Sequence, residues 1–237
     1  MPQIKYMRAF YLLCIFIMVF WSSCQKENAP SQQTNDSKLF HALSAKESGI
    51  DFSNDLKEDS IVNYFTYPYI YMGGGVAVGD VNNDGLSDLF FTGNMVPNRL
   101  YLNTTTEETG IQFKDITEQA GVAGDDRWVT GACMTDVNAD GLLDIYVSVS
   151  GKWTTTKNLL YVNQGPDENG LVQFKEEAEQ RGIADEGHST QGTFFDYDKD
   201  GDLDLYVANY PPTGFKTPNY SYRIFMNKKE PHKSDKL

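Results

Sequence analysis

The chain has 237 residues, room for one or two domains, and it is acidic, with 33 Asp and Glu against 20 Lys and Arg for a net charge of −13. That balance excludes nucleic acid as a main partner, because binding a phosphate backbone needs clustered Lys and Arg, whereas it suits cation binding. Twenty glycines with 14 Tyr and 14 Phe, and no long helical periodicity, lean towards an all-β fold.

Residues 1–23 read as a signal peptide. Lys5 and Arg8 make a positive start, 13 apolar residues follow from Ala9 to Trp21, and Ser22 and Ser23 lead to Cys24. The apolar run is short for a bilayer span, which takes ~20 residues, and an anchor helix is the alternative. Small residues directly before a cysteine resemble a bacterial lipobox, which implies lipidation of Cys24 and attachment to the outer membrane. Lys26 and Glu27 just beyond resemble the signal that sends some lipoproteins to the cell surface, the periplasmic face being the other destination. Residues 24–39 have almost no apolar content and read as a disordered tether. Cys14 falls in the removed part and Cys24 carries lipid, so Cys133 alone remains and no internal disulfide is expected. An exported domain without disulfides needs another staple, and calcium is one.

Residues 40–237 are built from a repeat. "GVAVGDVNNDGLSDLFFTGN" from Gly75, "GACMTDVNADGLLDIYVSVS" from Gly131 and "QGTFFDYDKDGDLDLYVANY" from Gln191 align, their first aspartates lying 56 and 60 residues apart. The flanks repeat too. "NRLYLN" (Asn98 to Asn103) matches "NLLYVN" (Asn158 to Asn163), and "FKDITEQAGV" (Phe113 to Val122) matches "FKEEAEQRGI" (Phe174 to Ile183), with "FHALSAKESGI" (Phe40 to Ile50) a looser copy. Each unit reads as strand, acidic loop, strand, LYxN strand, F…G[IV] strand. Four short strands per ~60 residues predict blades of a β-propeller, each a four-stranded antiparallel sheet; a β-sandwich is the alternative but predicts no such period. Propellers close with 4–8 blades. Phe40 to Leu237 holds roughly three to three and a half at this period, so an incomplete propeller is expected, a fragment of a longer protein. Its end reads as the start of another blade strand at Ser234 to Leu237, or that strand is "YRIFMN" (Tyr222 to Asn227).

All three acidic loops fit D-x-[DN]-x-D-G-x-x-D. The side chains are Asp80, Asn82, Asp84 and Asp88; Asp136, Asn138, Asp140 and Asp144; and Asp196, Asp198, Asp200 and Asp204. Calcium takes 6–8 oxygen ligands at 2.3–2.6 Å. Positions 1, 3 and 5 of a tight loop can converge on one ion, and Gly85, Gly141 and Gly201 at position 6 permit the reversal. The carbonyls of Leu86, Leu142 and Asp202 and the ninth-position aspartates complete the expected shells, up to three structural Ca²⁺ sites. An EF-hand is excluded, since position 12 is Phe91, Val147 or Val207 rather than Glu, and strands flank the loop. A row of solvated acidic turns is the bland reading, and three copies in register speak against it.

At these residues the chain resembles the FG-GAP/VCBS-repeat proteins, whose repeats form calcium-braced propeller blades as in integrin α-subunits. The longer context, "YMGGGVAVGDVNNDGLSDLFFTGN" with "NRLYLN" and "FKDITEQAGV", is similar to bacterial lipoproteins of the ASPIC/UnbV, cartilage-acidic-protein-like group. The resemblance implies a membrane-anchored scaffold that binds a protein or glycan at the cell surface.

The alternative is a fragment of a propeller enzyme acting on polysaccharide. His188 aligns with Trp128 and Met72 ahead of the inner strands, where it either meets a ligand or packs locally. No Ser/His/Asp spacing, phosphate loop or Cys/His cluster is present, and the carboxylates are spoken for as ligands. Aromatics at Asn63 to Met72, at Trp128 and Trp153, and at Asn209 to Tyr222 suit either sugar or peptide binding or plain loop packing.

Overall fold

The repeat unit decides the topology. The computed structural model describes residues 40–211; the signal peptide, Cys24, the tether to Lys38 and the predicted strand at Tyr222 to Asn227 lie outside them. The first sheet runs in order β1 (Val76–Gly79), β2 (Asp88–Phe91), β3 (Arg99–Asn103) and β4 (Phe113–Asp115). The second repeats that order as β5 (Trp128–Thr135), β6 (Asp144–Ser150), β7 (Leu159–Pro166) and β8 (Val172–Glu176). A third begins with β9 (Ser189–Phe195) paired to β10 (Asp204–Asn209). All pairings are antiparallel between sequence neighbours, as propeller blades require and a sandwich does not. The fold is therefore all-β with four-stranded antiparallel blades, and the described blades fall in the compact unit that begins at Leu43.

The middle blade is buried on both faces, and its sequence shows why. Alternate residues of a strand face opposite ways. Ile145, Val147 and Val149 of β6, with Leu159 and Tyr161 of β7, pack on Ala77, Phe90 and Leu100 of the first blade. Tyr146, Leu160 and Val162 point to the other side, where they meet Val207, Phe194 and Leu205 of the third. "DIYVSVS" is thus buried at every position, whereas β2 alternates between buried and half-buried. At Gly75, Gly131 and Gln191, equivalent in the repeat, the inner strands nearly touch. A Cβ on Gly75 would lie 2.8 Å from the Gly131 Cα, and one on Gly131 would lie 2.5 Å from the Thr190 carbonyl oxygen.

The fourth element differs from expectation. Only "FKD" pairs as β4, and the chain then turns through one helical turn, α2 (Thr117–Ala120), ended by Gly121 at φ 74°. Ile116 and Ala120 are spaced by four, so both reach the core from one helical face, where a strand would have separated them. The looser copy at Phe40 to Ile50 forms no strand at all. It makes another single turn, α1 (Ala45–Ser48), held by a capping box between Ser44 and Glu47 and closed by Gly49 in the left-handed region.

Candidate metal centres and an aromatic pocket

Each acidic loop joins the first two strands of a blade, and the first two share one hydrogen-bond plan. Asp80 accepts the amide N–H groups of Asp84 (3.1 Å) and Gly85 (2.7 Å); Asp136 accepts those of Asp140 (3.1 Å) and Gly141 (2.8 Å). The fifth-position carboxylates, Asp84 and Asp140, accept the N–H of Leu86 and Leu142, each at 2.8 Å. Asn82 and Asn138 donate their amide N–H to Asp84 (2.8 Å) and Asp140 (2.9 Å), which holds positions 3 and 5 side by side. In the third loop Asp196 accepts from Gly201 (3.2 Å) and Asp200 from Asp202 (3.1 Å). The structure thus brings positions 1, 3 and 5 of each loop onto one tight turn.

Two features of the turn repeat. Position 6 is glycine with φ 87°, 86° and 97° and nothing within 4 Å of an added Cβ, so it is needed for its backbone angle rather than for space. Position 4, which carries no sequence signal, is also left-handed: Asn83 at φ 58°, Ala139 at φ 58° and Lys199 at φ 66°. Asparagine tolerates that region, whereas alanine there costs roughly 1 kcal/mol. Ala139→Gly is expected to raise stability by about 0.5–1 kcal/mol, read as an upward shift of the urea midpoint at constant slope; a lower midpoint would contradict the strain.

The ninth-position aspartates are struts as well as candidate ligands. Asp88 and Asp144 are wholly buried. Asp88 accepts the Val81 N–H (2.9 Å) and the Asn103 N–H (2.8 Å), and Asp144 accepts those of Val137 (2.9 Å) and Asn163 (2.8 Å). Each carboxylate therefore ties the start of the loop to the end of the LYxN strand. That strand is bracketed by asparagines with matching jobs. Asn98 and Asn158, both buried, accept the Gly93 and Val149 amides, while Asn103 and Asn163 donate to the loop carbonyls of Ser87 and Leu143. Asp204 keeps one such bond, accepting the Tyr197 N–H at 2.8 Å, and is more exposed.

The electrostatics of the loops are one-sided. Burial pushes the Asp88 carboxyl up to about 6; the amides of Asn103 and Val81 oppose this, and Asp84 and Asp80 add to it. Burial raises Asp144 in the same way. In the third loop Asp202 is raised by its hydrogen bond with Asp200 and by the negative charge of that neighbour. Among the described residues no Lys or Arg forms an ion pair with any of the loop carboxylates. Carboxylate oxygens of Asp196, Asp198 and Asp204 lie within 4.8 Å of one another. Uncompensated hard oxygens converging on a tight turn fit a Ca²⁺-type ion and do not fit a soft metal.

Opposite the loops, the starts of the inner strands are covered by aromatics. Tyr67 and Ile70 pack on Trp128, with Trp153, Tyr69 and Tyr210 alongside. His188 stacks on Tyr210 with ring centroids 5.3 Å apart and its carbonyl accepts the Tyr210 N–H, while its Nδ1 is buried with no hydrogen-bond partner among the described residues. A cavity of about 210 Å³ opens beside Trp128 and Trp153. The sequence grouped the two tryptophans as one aromatic cluster, and the structure sets their rings 5.6 Å apart.

A profile of the FG-GAP-like repeat matches residues 80–147 and again residues 136–207. Over 156 residues the chain is 31% identical to cartilage acidic protein 1 of Xenopus tropicalis, an alignment that takes in 65% of this chain and 22% of that protein. The aligned part therefore spans less than a quarter of the length of this relative.

Proposed function

The chain belongs to the FG-GAP-like repeat family, and on that premise we propose that it is a calcium-braced β-propeller scaffold, lipid-anchored through Cys24 at the bacterial surface, that binds a protein or glycan rather than catalysing a reaction. The observation that carries the reading is the acidic loop repeated three times in register, with positions 1, 3 and 5 on one tight turn and no ion pair from Lys or Arg to its carboxylates among the described residues. Asp80, Asn82, Asp84 and Asp88 would hold one ion, Asp136, Asn138, Asp140 and Asp144 a second, and Asp196, Asp198, Asp200 and Asp204 a third. A bound Ca²⁺ would supply positive charge to loops whose carboxylates have no ion-pair partner among the described residues. Ser22 and Ser23 before Cys24 support the anchor, and mass spectrometry of the membrane-extracted protein would find the acyl groups on Cys24.

Calorimetric titration with CaCl₂ tests the brace directly. Up to three ions are expected, and Asp200→Ala should weaken the third by at least tenfold while leaving the others. An unchanged isotherm would remove the third site.

Acidity offers an independent check. With its carboxyl raised, Asp88 binds a proton more readily in the folded chain than in the unfolded one, where the value is near 3.8. The metal-free fold is then favoured below pH ~4 and loses on the order of 1–3 kcal/mol from this group as pH rises through about 6. Calcium reverses the sign by favouring the ionised form. Urea midpoints with and without calcium should diverge between pH 4 and 7; a gap independent of pH would count against ions beside Asp88.

A further inference from the structure

We propose that the cavity beside Trp128 and Trp153 is a binding site for a neutral saccharide unit. It lies between the loop after β2, the loop before β5 and the loop after β6, and it is lined by Asn94, Asp125, Asp126, Arg127, Trp128 and Trp153 among others. The two indoles are tilted at 51° with centroids 5.6 Å apart, and Tyr67 sets its edge against both. Trp128 is 3% exposed and Trp153 half-buried, so the pair forms a fixed apolar wall.

The polar groups around that wall are incomplete. The Trp128 indole N–H and the Arg127 Nε–H are both buried and have no hydrogen-bond partner among the described residues. Buried indole and guanidinium donors are nearly always satisfied, so two orphans on residues that line one cavity point to a place where an acceptor belongs. The rest of Arg127 is fixed: Nη1 donates to the Lys157 carbonyl at 2.9 Å, and Nη2 lies 3.8 Å from Asp125. Asp125 and Asp126 are exposed at the rim and supply acceptors.

Those features select a ligand class by elimination. An anion would face Asp125 and Asp126. A cation would face Arg127. An aliphatic side chain would fill the wall but leave both donors orphaned. A sugar ring meets all three demands, with C–H faces for the indoles and hydroxyls that both accept and donate.

The site deepens the scaffold reading and rests on it for the chain being a binding protein. The test is a titration of the full chain, kept in saturating calcium, with a panel of neutral oligosaccharides built of glucose, mannose or galactose. Of the three tryptophans in the sequence, Trp128 and Trp153 line the cavity, so intrinsic fluorescence reports occupancy directly. At least one saccharide is expected to give a saturable change. Trp153→Ala should abolish binding measured by calorimetry. Asp126→Asn, at an exposed position, should weaken it about tenfold with an unaltered melting temperature. No response from any saccharide, wild-type affinity in both variants, or a response confined to choline or a lysine-rich peptide would overturn the proposal. Melting curves with and without EDTA report the calcium brace separately, so an intact calcium-dependent melt with no saccharide binding counts against the pocket alone.

Discussion

Asp144→Ala is expected to destabilise the metal-free protein by about 3 kcal/mol, although Asp144 closes an acidic loop whose Asn138 to Gly141 tip is largely exposed. The carboxylate is wholly buried and accepts two backbone amides, from Val137 and Asn163. Removing it leaves both N–H groups without a partner, at ~1–3 kcal/mol each. The raised carboxyl shows that burying the charge already costs something, and that part is recovered. Alanine also opens a small cavity at the rim of the doubly buried blade. Against a total stability of roughly 5–15 kcal/mol the loss is large. Asp140→Ala, whose carboxylate is exposed, should cost no more than ~1 kcal/mol under the same conditions. Urea melts of both variants in EDTA separate the two roles. Equal losses would mean that the ninth position is only a ligand and not a strut.

Calcium removal is the second large effect. An ion present at 100 times its Kd adds ~2.7 kcal/mol for each occupied site. For a chain of this length 1 kcal/mol moves the melting temperature by about 2–4 °C, so each ion should raise it by roughly 5–10 °C. Thermal melts followed by far-UV circular dichroism, with excess calcium and then EDTA, measure the difference. Identical curves would mean that the loops hold no ion that matters to folding. Magnesium at the same concentration should give a smaller shift, because it demands a stricter geometry and gives up its water reluctantly.

The repeat made the blades legible, since a period of ~60 residues with apolar runs of four to eight admits few architectures. The β-branched and aromatic residues of "DIYVSV" marked a strand, and its burial on both faces came only with the neighbouring blades packed on either side. What stayed hidden depended on contacts between distant residues. The F…G[IV] segments looked extended, but Ile116 and Ala120 reach the core from one face of a helical turn, and the short β4 spends only three residues on pairing. The ninth-position aspartates were legible as oxygen donors. Their role as struts depends on Asn103 and Asn163 arriving from the third strand. Left-handed backbone at Ala139 and Lys199 had no signal, since neither residue favours it. The cavity was invisible for a related reason. Trp128 opens β5 and Trp153 lies in the loop after β6, and the register of β5 on β6 brings them together.

The first two acidic loops are joined by their own side chains. Asn83, at the tip of the first, donates to the Gly141 carbonyl of the second at 3.0 Å, and Asn163, from the second blade, donates to the Val81 carbonyl of the first at 2.8 Å. A cation that tightens one turn therefore acts on a backbone carbonyl of its neighbour. Ions held in the two loops would then share a coupling free energy, each changing the other's affinity by the same factor. Were that coupling favourable, a row of such blades would fill as a one-dimensional lattice and stiffen over a narrow span of ion concentration rather than blade by blade.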